Sequence, residues 1–129
     1  MRVYIAAPFA EKPKARAWAD ALRAQRFDVL STWHHESATE EPADRGKRGT
    51  LADRCTVEAV RSDALLFLDS ETHQPRGALI EVGVAIANRT PVVWLRPAKG
   101  RSIWDGYHGC YPVQDDAQVI HVLRLLLSR

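Results

Sequence analysis

The sequence predicts an α/β fold, a three-layer α/β/α sandwich around a parallel five-stranded sheet of order 2-1-3-4-5. Two observations carry this. Three short runs, Arg2–Ala7, Asp63–Leu68 and Pro91–Leu95, are nearly continuous in apolar residues, as strands are when helices cover both faces of a parallel sheet. Between them lie segments with helical spacing, and strand-helix-strand units with right-handed crossovers build a parallel sheet.

The first strand, Arg2–Ala7, is ended by Pro8. A helix follows from Pro13 to Gln25. Pro13 suits its first turn, and Ala15, Trp18, Ala19, Leu22 and Arg26 fall at helical spacing. Phe27–Trp33 reads as the second strand. From His34 to Gly49 the chain is polar and aperiodic, with one proline and two glycines. Loops of that length serve as lids or binding loops, or lack fixed structure. Thr50 is the expected N-cap of a helix running to Ser62, with Leu51, Val57 and Val60 toward the core. The strand from Asp63 leads through the loop Ser70–Pro75 into an almost wholly apolar helix, Arg76–Asn88, and then into the strand at Pro91. Arg96–Gly109 is irregular, and Cys110–Val113 reads as a short edge strand. Asp115 or Asp116 caps a last helix, Ala117–Leu127, whose apolar face is Val119, Ile120, Val122, Leu123 and Leu126. Strand order 2-1-3-4-5, flavodoxin- or Rossmann-like, sets the switch point between strands one and three, where such sheets bind ligands at their carboxyl ends. Tyr4, the Pro8 loop, the loop at Asp69 and the start of the Arg76 helix converge there.

A chain of 129 residues suggests one domain over 1–129. With 46% hydrophobic and 26% charged residues the composition is that of a soluble globular protein. A net charge of +2 gives no electrostatic reason to expect nucleic acid or membrane as partner. Two cysteines, Cys55 and Cys110, define no disulfide framework, and the expected setting is the reducing cytoplasm. No run is long enough for a membrane span, and the amino terminus enters a strand-like run at once, without a signal-peptide pattern.

The turn after strand one, Ala6-Ala7-Pro8-Phe9, has no glycine, which argues against a dinucleotide site. There is no phosphate-binding glycine loop. Only Asp69 fits the acidic pattern of a receiver domain. His34, His35, Cys55, His108 and Cys110 lack metal-ligand spacing, so neither metal nor other cofactor is expected. No serine sits in a nucleophile elbow. Arg45, Lys47 and Arg48 form a basic cluster without interleaved aromatics, which reads as a solvated surface. Glu81 stands out, because a carboxylate on the second turn of an apolar helix costs free energy unless it is paired or useful. The pattern alone leaves both readings open: a cap or arginine partner, or a reacting group.

The runs V-Y-I-A-A-P-F at the start, S-D-A-L-L-F-L, and R-G-A-L-I-E-V-G-V-A-I-A-N-R-T-P-V-V together resemble the nucleoside 2-deoxyribosyltransferase family, over about residues 2–96. That family includes nucleotide N-hydrolases that cleave a deoxyribonucleotide into base and sugar phosphate. The G-x-x-x-E-x-G-x-A core, from Gly77 to Ala85, is its specific part. The resemblance implies that Glu81 is the nucleophile and Tyr4 the active-site tyrosine, whose hydroxyl orients it. The family commonly carries an aspartate eight residues before the position of Asp63; here that residue is Cys55. Asp53 takes the role from a shifted register, or favours the helix dipole only.

On this resemblance the expected activity is cleavage of the N-glycosidic bond of a deoxynucleoside or its 5′-monophosphate, or base exchange, with hydrolysis favoured because the chain is short. A carboxylate under the anomeric carbon stabilises or captures the developing positive charge, and a helix start holds it charged. Asp53, Asp69 and Glu71 are candidate acids for the leaving base. Ala7, Pro8 and Phe9 of the first loop, Asp69 and Gly77 are expected against substrate. Lys14 and Arg16, with Lys12, open the first helix and suit a phosphate; a solvated basic turn is the other reading. Trp33 stacks on a base or packs in the core, and Tyr107 and His108 cover the site from the second irregular stretch. The resemblance also implies a homodimer or larger homo-oligomer. An NAD-cleaving enzyme and a non-catalytic nucleotide-binding module are the alternatives.

Overall fold

The computed structural model describes residues 1–37 and 40–128; Ala38 and Thr39, within the long loop expected over 34–49, and Arg129 lie outside the described residues. Five parallel strands, β1 (Arg2–Ala6), β2 (Asp28–Val29), β3 (Ala64–Leu68), β4 (Val92–Leu95) and β5 (Cys110–Val113), form one sheet of order 2-1-3-4-5, as the sequence predicts. The helices are α1 (Lys12–Ala24), α2 (Arg45–Arg61), α3 (Arg76–Ala87) and α4 (Asp116–Leu127). α2 packs against α3, and Arg124 of α4 bonds Gln25 at the end of α1. Two helices therefore cover each face.

β1, β3 and β4 are buried on both faces, which is why they read as unbroken apolar runs. Their register sets Tyr4 beside Leu65 and Phe67 beside Trp94. The Phe67 and Trp94 rings meet at 4.9 Å and 55°, in the tilted range that aromatic pairs favour. α1 buries Ala15, Trp18, Ala19 and Leu22, as their spacing predicts. Arg26 instead lies past the helix end, exposed, at φ 69°.

Three elements depart from the sequence expectation. β2 ends at Val29 instead of Trp33. Beyond it, side chains replace the ladder: Ser31 Oγ accepts from Ile5 N (3.1 Å), and the Trp33 indole donates to Ile5 O (2.7 Å). α2 begins at Arg45, five residues before the expected cap. Asp44, not Thr50, accepts from Lys47 N at 2.9 Å, and the Thr50 hydroxyl donates to Gly46 O. Two glycines in those turns cost about 1 kcal/mol each against alanine, so the segment resembles a loop although it is capped. Ala59, not Val57 or Val60, is the buried residue of α2; the two valines are 47% and 43% exposed. Glu58 lies on the inward side, where its carboxylate takes Thr32 N and Oγ1 at 3.0 and 2.7 Å. In α4 the cap is Asp115, in a capping box with Gln118. No helix among the described residues is long and apolar enough to cross a membrane.

Candidate active site

The sheet's carboxyl edge opens between β1 and β3 into a cavity of about 960 Å³, within the range of small-molecule sites. The segment after β1 supplies Ala7, Pro8 and Phe9, and the loop and helix after β3 supply His73, Gly77 and Glu81. α2 closes the third side.

Glu81 lies on the second turn of α3, facing β1. Tyr4, fully buried on β1, donates its hydroxyl hydrogen to Glu81 Oε2. The Cys55 thiol of α2 lies beside the Tyr4 hydroxyl and the same carboxylate, and favours the charged form of Glu81. Burial nonetheless dominates, pushing Glu81 up to about 7 from 4.5 against the lowering effect of these two neighbours. The helix start does not hold it charged, as the sequence had suggested, because the dipole's influence fades beyond the first turn. Burial first, then the adjacent Glu81 charge, pushes the Tyr4 phenol far above its ordinary value, so it remains a donor. Burial likewise pushes Cys55 up to about 11, and it stands as thiol, not thiolate. The result is a buried carboxylate held by the Tyr4 hydroxyl, with the Cys55 thiol alongside, titrating near neutrality. That is a poise suited to acid–base or nucleophilic work.

Ala7, Pro8, Phe9 and Gly77 line the cavity, as does Trp33. Trp33 is almost wholly buried, its N–H taken by Ile5 O and its ring 5.8 Å from Phe9, so it backs the wall. The other expected residues are elsewhere. Asp53 is exposed and off the cavity wall; two positions from Cys55 is about 200° around the helix. Asp69 is buried at the end of β3, where its oxygens accept from Trp94 Nε1 (3.0 Å), Ala98 N (2.8 Å) and Arg101 Nε (3.2 Å). It anchors the segment after β4 and does not line the cavity. Glu71 is exposed and also off the wall. Arg16 donates to His34 O and Glu36 O at 2.6 and 3.0 Å, Lys12 donates to Glu36 O at 2.7 Å, and Lys14 pairs with Glu11. Lys12 and Arg16 thus fasten the segment after β2, Lys14 is held by the turn before α1, and none of the three lines the cavity. His108 and Tyr107 immediately precede β5 and border a second hollow with Asp63 and Pro91. Those residues precede their strands, so this is the sheet's amino edge, and His108 cannot cover Glu81.

Sequence reasoning left out part of the wall. Arg45, Arg48, Ala52 and Cys55 recur at three- and four-residue spacing and share one face of α2. That stripe was readable once Asp44 is taken as the cap. Among the described residues no three or more His, Cys, Asp or Glu side chains are grouped to hold a metal ion.

Two solved structures share this architecture. A 2-deoxyribosyltransferase from the psychrotolerant bacterium Bacillus psychrosaccharolyticus superposes with a TM-score of 0.73 at 18% identity, covering 92% of this chain and 90% of that one. The Clostridium botulinum CMP N-glycosidase BcmB superposes with a TM-score of 0.61 at 17% identity, covering 97% and 99%. The chain has the fold of these two enzymes. No family model matches it, and no curated protein matches it.

Proposed function

We propose that this protein cleaves the N-glycosidic bond of a deoxynucleoside or its 5′-monophosphate, with Glu81 as nucleophile. The observation that carries the reading is Glu81 itself: a buried carboxylate, hydrogen-bonded by Tyr4 and next to Cys55, on the floor of the cavity at the sheet's switch point. The fold shared with a 2-deoxyribosyltransferase and a CMP N-glycosidase supports it.

In this mechanism a Glu81 oxygen attacks C1′ while the base leaves with the N-glycosidic electron pair and gains a proton. Tyr4 and Cys55 fix the carboxylate rotamer and favour its charged form. Water then attacks C1′, loses a proton and frees Glu81, giving base and sugar or sugar phosphate; a second base in place of water gives exchange. Of the acids suggested by the sequence, none lines the cavity; Glu41 and His73 do, and the proton of the leaving base is assigned to that wall. Cys55 in place of an aspartate also motivates a second reading, a module that binds nucleotide without turning it over.

We further propose a homodimer built on the outer side of α2 and α3. Val57 and Val60 are exposed there, and Ile80, at the cavity rim, is 71% exposed. A second copy over these residues would shield the cavity mouth from water.

The test is incubation with deoxynucleosides and deoxynucleoside 5′-monophosphates, with and without an acceptor base, following free base. Release by the wild type and its loss in a folded Glu81→Gln variant are the expected results. Equal release by both proteins would end the nucleophile assignment, and binding without any release would favour the non-catalytic module.

A further inference from the structure

Three arginines reach the wall of the cavity that holds Glu81. Arg45 and Arg48 lie one turn apart at the start of α2, and Arg76 opens α3. Among the described residues none of the three takes part in an ion pair, although the exposed Glu40 and Glu41 border the same space. The α1 cations differ: Lys12 and Arg16 are engaged with backbone carbonyls and Lys14 with Glu11.

The side chains of α2 are graded along this wall. Two guanidinium groups stand near the helix start, then come Gly49 and Ala52, and then Cys55 beside the reactive carboxylate. The small residues leave room where the large ones would block it. About 10 Å of helix separates Arg48 from Cys55, a span that one sugar ring and an outstretched arginine together fill. Lys47, between the two arginines in sequence, does not line the cavity. The basic cluster is thus split, with two of its residues on the cavity wall and one off it.

On the N-glycosidase reading above, we propose that Arg45, Arg48 and Arg76 form the subsite for the substrate's 5′-phosphate, and that the protein takes nucleoside 5′-monophosphates in preference to nucleosides. Guanidinium groups match phosphate oxygens in paired, planar hydrogen bonds. With Glu40 and Glu41 on the same wall, the three arginines still leave an excess of positive charge for a dianion to meet. With the phosphate held there, the sugar lies over Gly49 and Ala52 with C1′ toward Glu81.

The test measures binding, so it does not depend on turnover. The full chain is titrated calorimetrically with 2-deoxyribose 5-phosphate, with 2-deoxyribose and with inorganic phosphate. The sugar phosphate is expected to bind at least about 10-fold more tightly than either fragment. Arg48→Ala and Arg76→Ala each weaken it about 10-fold or more, the usual loss for a charge-assisted hydrogen bond, and Lys47→Ala changes it less than about 2-fold. Where an alanine variant unfolds, Arg48→Gln and Arg76→Gln replace it. Equal losses in Lys47→Ala, no loss in the arginine variants, or inorganic phosphate binding as tightly as the sugar phosphate would each overturn the subsite. Arginine-dependent sugar-phosphate binding with no base release would keep the subsite and remove the catalytic reading. Base release with no phosphate dependence would do the reverse.

Discussion

Glutamine in place of Glu81 keeps the shape and the oxygen that accepts from Tyr4 but cannot ionise, which makes it a gauge of what the buried charge costs the fold. The Glu81 carboxyl sits at about 7 in the folded protein against 4.5 for an ordinary glutamate, chiefly through burial. The folded state therefore holds its proton more tightly than the unfolded chain. Stability from this group is fully present below pH 4.5 and is lost as pH rises through 7. The shift corresponds to about 3 kcal/mol, a sizeable share of the stability of a small domain. Urea unfolding of wild type and Glu81→Gln at intervals from pH 4.5 to 8.5 measures it. All other titrating groups are common to both proteins, so the difference isolates residue 81. The variant is expected to gain about 3 kcal/mol over the wild type between the two ends of that range. A difference that stays constant with pH would refute the buried, proton-hungry carboxylate. Base release by the wild type is expected to move oppositely, rising through pH 7 as the nucleophile ionises.

Cys55→Ala removes a neighbour that favours the Glu81 charge, so the midpoint of the pH–kcat/KM profile is expected to move upward from that of the wild type. An unmoved midpoint would leave the thiol with a packing role only. Asp69→Ala leaves Arg101 Nε, Trp94 Nε1 and the Ala98 N–H without their acceptor and is expected to cost about 3 kcal/mol in urea unfolding. His34 is buried with Nδ1 unpartnered among the described residues, and burial holds it near 4. Its contribution to stability is present above pH 6.5 and lost as pH falls toward 4, so His34→Leu should flatten the acid limb of the unfolding profile. Ile80→Glu is expected to turn a dimer into a monomer in sedimentation velocity and to lower turnover; a wild type that already sediments as a monomer would remove the dimer proposal.

β1, β3 and β4 were legible in the sequence because each is buried on both faces, and burial leaves an apolar run that needs no neighbour to be recognised. α3 was legible by its apolar composition, although within it only Ala78, Val82 and Ala85 are buried. That strand one and the helix after strand three meet at the switch point followed from the strand order; the pairing of Tyr4 with Glu81 came from the family resemblance. The end of β2 was not legible, because what stops the ladder is a pair of side-chain bonds, from Ile5 to Ser31 and from Trp33 to Ile5. The start of α2 was hidden by Gly46 and Gly49, and with it the arginine stripe on the cavity wall. Asp69 misled because an acid at the carboxyl end of a strand resembles a ligand group, while its true partners lie 25 to 32 residues further along the chain. His108 misled because its glycine-bearing segment crosses back under the sheet before β5 begins.

The Ser31 and Trp33 bonds have an effect beyond local geometry. An edge strand only two residues long would leave the flank of β1 open to a passing strand from another molecule, the commonest route to edge-to-edge association. Here the amide and carbonyl of Ile5 are already taken by a hydroxyl and an indole. Neither of these side chains can hand the pairing on to a further strand, so this flank of the sheet is closed without being lengthened.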